Sequence, residues 1–170
     1  MTTPRYVRNL AGAFALALFD RIDAATRAAV DLPGSDVAAL ITLRWYDGDS
    51  IGDLASAVGL SHSATVRSVD RLTTAGLVAR TAGPDARTVA LRLTPAGVTA
   101  ATTAQQARDG VLAAALDALS ADHARQMVGA FEGVLSALTT DRPTADHICR
   151  LCDASACPDR RCPVEQAVSL

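Results

Sequence analysis

Several residue types are scarce in this sequence, and each scarcity excludes a class of protein. Lysine is absent, so all 16 basic residues are arginine, and 18 acidic residues bring the net charge to −2. This balance excludes a histone-like polycation, but a local basic surface is enough to bind DNA. Aromatic residues are only 4% of the chain, whereas 49% of residues are hydrophobic. That hydrophobic content excludes a disordered chain, and its abundant alanine favours a mainly α-helical domain.

Long apolar runs are missing as well, which predicts that the chain does not enter a membrane. The apolar stretch 10–19 follows two arginines and is the one segment with features of a signal peptide. Apolar residues recur there at helical spacing, however, and the pattern continues past the stretch, which favours an amphipathic helix. We therefore expect a cytoplasmic protein in a reducing compartment, where structural disulfides are rare.

The capping and turn residues predict six helices and one β-hairpin in the first 140 residues. Two short predicted helices, 51–58 and 61–75, are separated by Gly59-Leu60-Ser61, which is the spacing of a helix-turn-helix. The strands of the hairpin flank a Gly-Pro-Asp turn. The fold expected is mainly α, a winged helix-turn-helix with a two-stranded wing. The other predicted helices are 5–29, 35–45, 95–119 and 121–138, and the strands are 77–81 and 88–93.

The second helix of the motif has the chemistry of a DNA-reading helix. Hydroxyl groups and backbone N–H groups at a helix start hold phosphates, and arginine reads guanine through two hydrogen bonds. Residues 61–92 contain five arginines and two aspartates, a local net charge of +3. Two interpretations stay open for His62, base contact or solvated residue, and for Arg71, DNA contact or partner of an acid. The candidate DNA-binding residues on this helix are Ser61, His62, Ser63, Thr65, Arg67, Ser68 and Arg71.

Residues 85–97, DARTVALRLTPAG, match the wing signature D-x-R-x-x-x-L-x-L-T-x-x-G of the MarR family of bacterial transcription regulators. Residues 63–72, followed by Gly76-Leu77-Val78, also resemble the recognition helix of that family. The resemblance covers about residues 5–138. It implies a homodimer with interlocking N- and C-terminal dimerisation helices, and Arg87 of the wing reaching the minor groove of double-stranded DNA. It implies a transcription regulator, expected to be a repressor on an inverted-repeat operator, and not an enzyme.

This resemblance divides the chain into four parts. They are an N-terminal dimerisation helix (1–34), the DNA-binding lobe (35–97), C-terminal dimerisation helices (98–140) and a cysteine-rich tail (141–170). Proteins of this family often hold a small-molecule effector where the dimerisation helices meet the lobe. Aromatic residues at helical spacing are more often core than pocket. The candidate pocket residues here are Phe14, Phe19, Trp45 and Tyr46.

All four cysteines lie in the last 22 residues, spaced C-x2-C-x4-C-x4-C, with His147 just upstream. Three interpretations compete: a zinc site with four thiolates, or with His147 in place of one; an iron–sulfur cluster; and a redox thiol switch. A metal would fold a tail that is too short to build its own core. The alternative function is a thiol- or metal-based redox protein that uses the winged helix only as an interaction scaffold. The candidate ligands are Cys149, Cys152, Cys157 and Cys162.

Such a cluster would couple a metal or redox signal to DNA binding. The tail follows the predicted helix that ends near Leu138, which should belong to the dimer interface. We therefore expect a change in the tail to act through that helix, by tilting the two lobes of the dimer against each other.

Overall fold

The computed structural model describes residues 3–83, 88–157 and 161–169. Within them the chain forms eight helices and one antiparallel hairpin, which confirms the mainly helical winged fold. In chain order the elements are α1 (Arg5–Val30), α2 (Gly34–Trp45), α3 (Ile51–Val58), α4 (His62–Thr74), β1 (Val78–Ala82), β2 (Val89–Leu93), α5 (Pro95–Leu116), α6 (Ala121–Leu138), α7 (Arg142–Cys149) and α8 (Pro163–Val168).

Local capping chemistry sets the boundaries of the helix-turn-helix. Ser50 and Asp53 form a reciprocal capping box that starts α3. Gly59 ends α3 in the left-handed conformation, at φ 70°, which glycine tolerates. Ser61 then caps α4 by accepting a hydrogen bond from the Ala64 N–H. The predicted bounds of α3 and α6 are confirmed, whereas α5 ends at Leu116, three residues before the predicted end.

The hydrophobic core lies in the DNA-binding lobe, with α2 at its centre. All eight residues 36–43 of α2 are buried. Leu40, Leu54, Leu72 and Leu91 are fully buried and bring α2, α3, α4 and β2 together. This packing fixes the turn between α3 and α4, so the orientation of α4 follows from the core rather than from the turn alone.

The wing strands pair in a five-residue antiparallel register from Val78 opposite Leu93 to Ala82 opposite Val89. Thr94 follows β2 and caps α5, with Pro95 in the first turn. Gly97 lies so close to the backbone of Leu77 that a Cβ there would collide with the Leu77 carbonyl oxygen. The glycine that ends the wing signature is therefore required by the close approach of α5 to β1.

The long helices α1 and α6 have little core of their own. α1 has a single buried residue, Thr26, and α6 has none. Phe14 of α1 stacks on Phe131 of α6, with ring centroids 6.3 Å apart. Both helices expose large apolar side chains to solvent, namely Tyr6, Val7, Leu10, Phe14, Leu16, Phe19, Val128, Phe131, Val134 and Leu138.

The expectation of a tail without its own core is wrong. Residues 142–149 and 163–168 are helical, and Ala145, Cys162 and Val164 are buried together in a small cluster. No helix was predicted in the tail, yet the sequence Asp-Arg-Pro at 141–143 is a helix start, because Asp141 accepts a hydrogen bond from the Thr144 N–H at 2.8 Å. The tail packs on α3 through α7 and on α6 through α8.

Candidate nucleic-acid interface and cysteine cluster

The N-terminus of α4 projects from the lobe. Ser61, His62 and Ser63 are exposed at its first turn, and Arg67 is exposed one turn further along. Within the described part of the chain, Arg67 has no ion-pair partner. A helix N-terminus with solvent-exposed hydroxyl groups and a guanidinium without an ion-pair partner can bind phosphates and read a guanine edge.

Two predicted DNA contacts on α4 are wrong, because their side chains face the core. Thr65 and Ser68 are 0% and 1% exposed. The hydroxyl of Thr65 donates to the Ser61 carbonyl at 3.1 Å, and that of Ser68 donates to Asp36 at 2.6 Å. Both lie on the helix face that also carries the buried Val69 and Leu72, so neither can reach a base.

The guanidinium of Arg71 forms a salt bridge with Asp36. Its Nε and Nη2 donate to the two carboxylate oxygens at 2.9 and 2.6 Å. Asp36 is fully buried in the first turn of α2, and it raises the pKa of Arg71 through this hydrogen-bonded contact. Arg71 was interpreted either as a DNA contact or as the partner of an acid, and the structure shows the pairing with an acid. Asp36 was not among the residues predicted from the sequence, although an acid inside an apolar helix is a signal for a buried polar contact.

Most of the arginines that give this segment its net charge of +3 form ion pairs with aspartates in the folded structure. Arg80 binds Asp70 of α4 at 2.7 Å, and Arg92 of the wing binds Asp47 in the loop before α3. Together with the Arg71 pair, these contacts leave Arg67 as the open arginine of the described lobe surface. The predicted wing contact, Arg87, lies outside the described residues.

The four aromatic residues predicted for an effector pocket do not line one cavity. Phe19 borders a cavity of about 220 Å³ between α1, α2 and the tail. Phe14 stacks on α6, Trp45 lies under the guanidinium of Arg44, and Tyr46 borders a separate acidic cleft. The residues around the first cavity were missed in part because two of them come from the tail. Besides Phe19 they include Ile22, Thr26, Val37, Ala38, Arg150 and Leu151.

The four cysteine thiols are reduced and associate in two pairs. A hydrogen bond from Cys149 lowers the pKa of Cys152, and the arginines at 108 and 150 favour the same thiolate. That contact raises the pKa of Cys149, with burial as the second cause. Burial raises the pKa of Cys157, which also hydrogen-bonds Cys162. Among the described residues, no three His, Cys, Asp or Glu side chains are already arranged to hold a metal ion.

The imidazole ring of His147, the predicted substitute ligand, lies against the helix-turn-helix. Its Nδ1–H donates to the carbonyl of Ala57 in the last turn of α3, at 3.0 Å. The ring covers Gly59, where an added Cβ would lie 2.6 Å from the His147 Cε1. Two further hydrogen bonds hold the tail to the lobe: Thr42 donates to the Arg150 carbonyl at 3.4 Å, and Gln105 donates to the Cys152 carbonyl at 2.9 Å.

Comparison with known proteins places this lobe in a family. The MarR family model matches residues 30–87. The fold is similar to that of a MarR family protein from Bacillus stearothermophilus, with 23% identity, TM-score 0.72, and coverage of 82% of this chain and 100% of that one. MarR from E. coli, in its apo form, is 20% identical with TM-score 0.62, over 79% of this chain and 99% of that one.

A third structure contains a ligand. CouR from Rhodococcus jostii RHA1, bound to p-coumaroyl-CoA, is 20% identical with TM-score 0.59, over 75% of this chain and 90% of that one. The comparison with curated proteins found no match. In the described part of the chain, no helix combines the length and apolar character needed to cross a bilayer. The segment that includes α2, α3, α4 and β1 therefore matches the MarR family model, and the chain has the winged-helix fold of these solved MarR-family structures.

Proposed function

We propose that this protein is a DNA-binding transcription regulator that acts in the cytoplasm as a homodimer, as a repressor on an inverted-repeat operator. The observation that carries the proposal is the exposed N-terminus of α4, where Arg67 has no ion-pair partner among the described residues. In a winged helix-turn-helix this end of the helix enters the major groove.

The contacts on α4 divide by chemistry. Ser61, His62 and Ser63 and the open backbone N–H groups beside them would bind phosphates and fix the register of the protein on the duplex. Arg67 would read a base, because its guanidinium can donate two hydrogen bonds to guanine O6 and N7. Arg71 would act indirectly, by holding α4 on α2 through Asp36.

The dimer is supported by the apolar surface of α1 and α6. Exposed apolar patches of this extent on a monomer mark interaction sites. A second copy would cover them and present two α4 helices to successive major grooves. Half-sites should then lie about one helical turn apart, about 34–36 Å.

An effector pocket is a further part of the proposal. CouR binds p-coumaroyl-CoA, and here a cavity of about 220 Å³ lies between α1, α2 and the tail. Its lining is mostly apolar with one arginine, Arg150, whose pKa is lowered by burial. We propose that a small organic molecule binds there and changes the affinity for DNA.

The test is a gel shift with DNA from the gene's own promoter region. Arg67→Ala should weaken binding by about 1–3 kcal/mol and relax the preference at one base pair of each half-site. Arg125→Ala is the matched control, because Arg125 is an exposed arginine on α6 that is paired with Asp122; it should bind like the wild type. Loss of affinity that is equal for all sequences would mean that Arg67 does not read a base. A wild-type protein with no salt-sensitive, sequence-selective shift in any metal state would overturn the function.

A further inference from the structure

The cysteines of the tail are positioned by ordinary backbone structure. Cys149 ends α7, and the Cys152 N–H returns to its carbonyl at 2.8 Å, so one tight turn holds the first C-x2-C pair. Cys162 begins α8 and is 5% exposed. Cys149 packs against the small buried cluster that contains Cys162, so the two ends of the motif meet.

The first C-x2-C pair and Cys162 lie close together in the described structure. A thiol is a weak hydrogen-bonding group, so neutral thiols gain little from such proximity. Four thiolates around one zinc ion, at about 2.3 Å, are a common structural site.

We propose that Cys149, Cys152, Cys157 and Cys162 bind one zinc ion through four thiolates, and that the loaded site holds α7 against the helix-turn-helix. Binding would draw the two thiol pairs onto one centre and release the thiol protons to solvent. A single ion suits the tail because its fold already holds the first C-x2-C pair close to Cys162. His147 is not a ligand in this proposal, because its whole ring, including Nε2, is packed over Gly59 of the helix-turn-helix.

The second half of the proposal rests on the function proposed above. Cys149 lies two residues after His147, whose ring bonds the end of α3 and covers Gly59, the glycine that begins the turn into α4. Arg150, next to Cys149, accepts a hydrogen bond from Thr42 of α2 through its carbonyl. A zinc ion that fixes the end of α7 therefore also supports the position of α4. This route through the lobe lies beside the one predicted from the sequence, which runs through the helix that ends near Leu138 and on which α8 packs.

The zinc site is tested by metal analysis of protein purified without air. We expect one zinc per chain in the wild type and in His147→Asn, and little zinc in Cys152→Ser or Cys157→Ser. Cobalt substitution of the wild type should give the spectrum of a tetrahedral thiolate site. If the serine variants do not fold, removal of zinc from the wild type by a chelator and its return on adding zinc replace them.

Three results would overturn the zinc site. They are protein without metal, a broad visible absorbance that marks an iron–sulfur cluster, and a His147→Asn variant that loses the ion although all four cysteines remain. Recovery of the Cys149–Cys152 or Cys157–Cys162 pair as a disulfide in metal-free protein would assign the tail to thiol redox chemistry instead.

The coupling is tested by DNA titration of the same proteins. Removal of zinc from the wild type should lower the affinity by about 5- to 150-fold, which is the usual range for coupled sites. His147→Asn should keep its zinc yet bind DNA weakly, and chelation should then change its affinity little. Equal affinity of the wild type with and without zinc would overturn the coupling and leave the zinc site standing. If no metal state of the wild type binds DNA, the proposed function fails, and the metal content still decides the site.

Discussion

The DNA-binding lobe and the long helices α1 and α6 use their apolar residues in opposite ways. In the lobe, α2 buries eight consecutive residues, and leucines from four elements meet in one cluster. In α1 and α6, a single residue is buried, and apolar side chains such as Leu10 and Val134 remain open to solvent. The lobe therefore carries the stability of the single chain, whereas α1 and α6 have surface whose burial requires another molecule.

The strongest test of this contrast is to charge the apolar face of the long helices. Phe14→Glu combined with Phe131→Glu should convert the proposed dimer into a monomer of 17.6 kDa, because charged groups would be buried at the interface. DNA affinity should fall by about 100-fold or more, since the second half-site no longer contributes. Light scattering and a gel shift measure the two effects.

The matched control for the charged face is Val98→Glu. Val98 is 44% exposed on α5, close to the exposure of Phe131 at 41%. It lies outside the faces of α1 and α6, so its variant should remain dimeric. A wild-type protein that scatters light as a monomer would contradict the comparison between the two regions directly.

Within the lobe, the largest single effect should come from Asp36→Asn. Asp36 is fully buried and accepts hydrogen bonds from Ser68 and from both Nε and Nη2 of Arg71. An amide would direct N–H groups at these donors, so the free energy of unfolding should fall by about 3 kcal/mol. Chemical denaturation measures the loss.

Asp70→Asn is the control for that variant, because Asp70 pairs with Arg80 on the surface. Its cost should stay below about 1 kcal/mol. If the two substitutions cost the same, the buried carboxylate does not hold α4 to α2, and Arg71 returns as a candidate DNA contact.

A smaller effect is expected when the serine N-cap of one helix is removed in each of the two regions. Ser50 caps α3 in the lobe and Ser120 caps α6, each through a serine oxygen that accepts a backbone N–H. Ser50→Ala should lower the free energy of unfolding by about 1 kcal/mol. Ser120→Ala should act mainly on dimer dissociation, because α6 has no buried residue in the single chain. Denaturation at low and at high protein concentration separates an effect on the single chain from an effect on the dimer. A loss of stability in Ser50→Ala that depends on protein concentration would contradict the prediction.

The smallest predicted effect depends on pH. Burial, followed by the charges of Asp53 and Asp146, raises the pKa of Asp49 to about 6. Above about pH 6 the ionised carboxylate of Asp49 therefore destabilises the folded state. Protonation removes this cost, so the free energy of unfolding increases as the pH falls from about 6 to 4. Asp49→Asn should raise the melting temperature slightly at about pH 7.5 and leave it unchanged at about pH 4. Asp117→Asn, on the exposed end of α5, is the control; equal shifts in both variants would contradict the assignment.

Local patterns predicted the elements of the helix-turn-helix well. Ser50, Gly59 and Ser61 each act on groups within four residues, so the bounds of α3 and the start of α4 follow from short-range hydrogen bonds. The turn residues of the wing predicted a hairpin whose two strands match the observed ones to within one residue. The tail helix α7 had an equally local signal, in Asp141 as the N-cap and Pro143 in the first turn, but no helix was predicted there.

The sequence by itself therefore determined the helices, the wing and the positions that end them, because those depend on the backbone and its nearest neighbours. Only the tertiary structure decided which face of α4 is available. Thr65 and Ser68 turned inward, and Arg71 found Asp36, 35 residues earlier in the chain. It also decided that His147 lies on Gly59. Contacts between distant segments depend on how the helices pack around the core, and a pattern of adjacent residues does not contain that information.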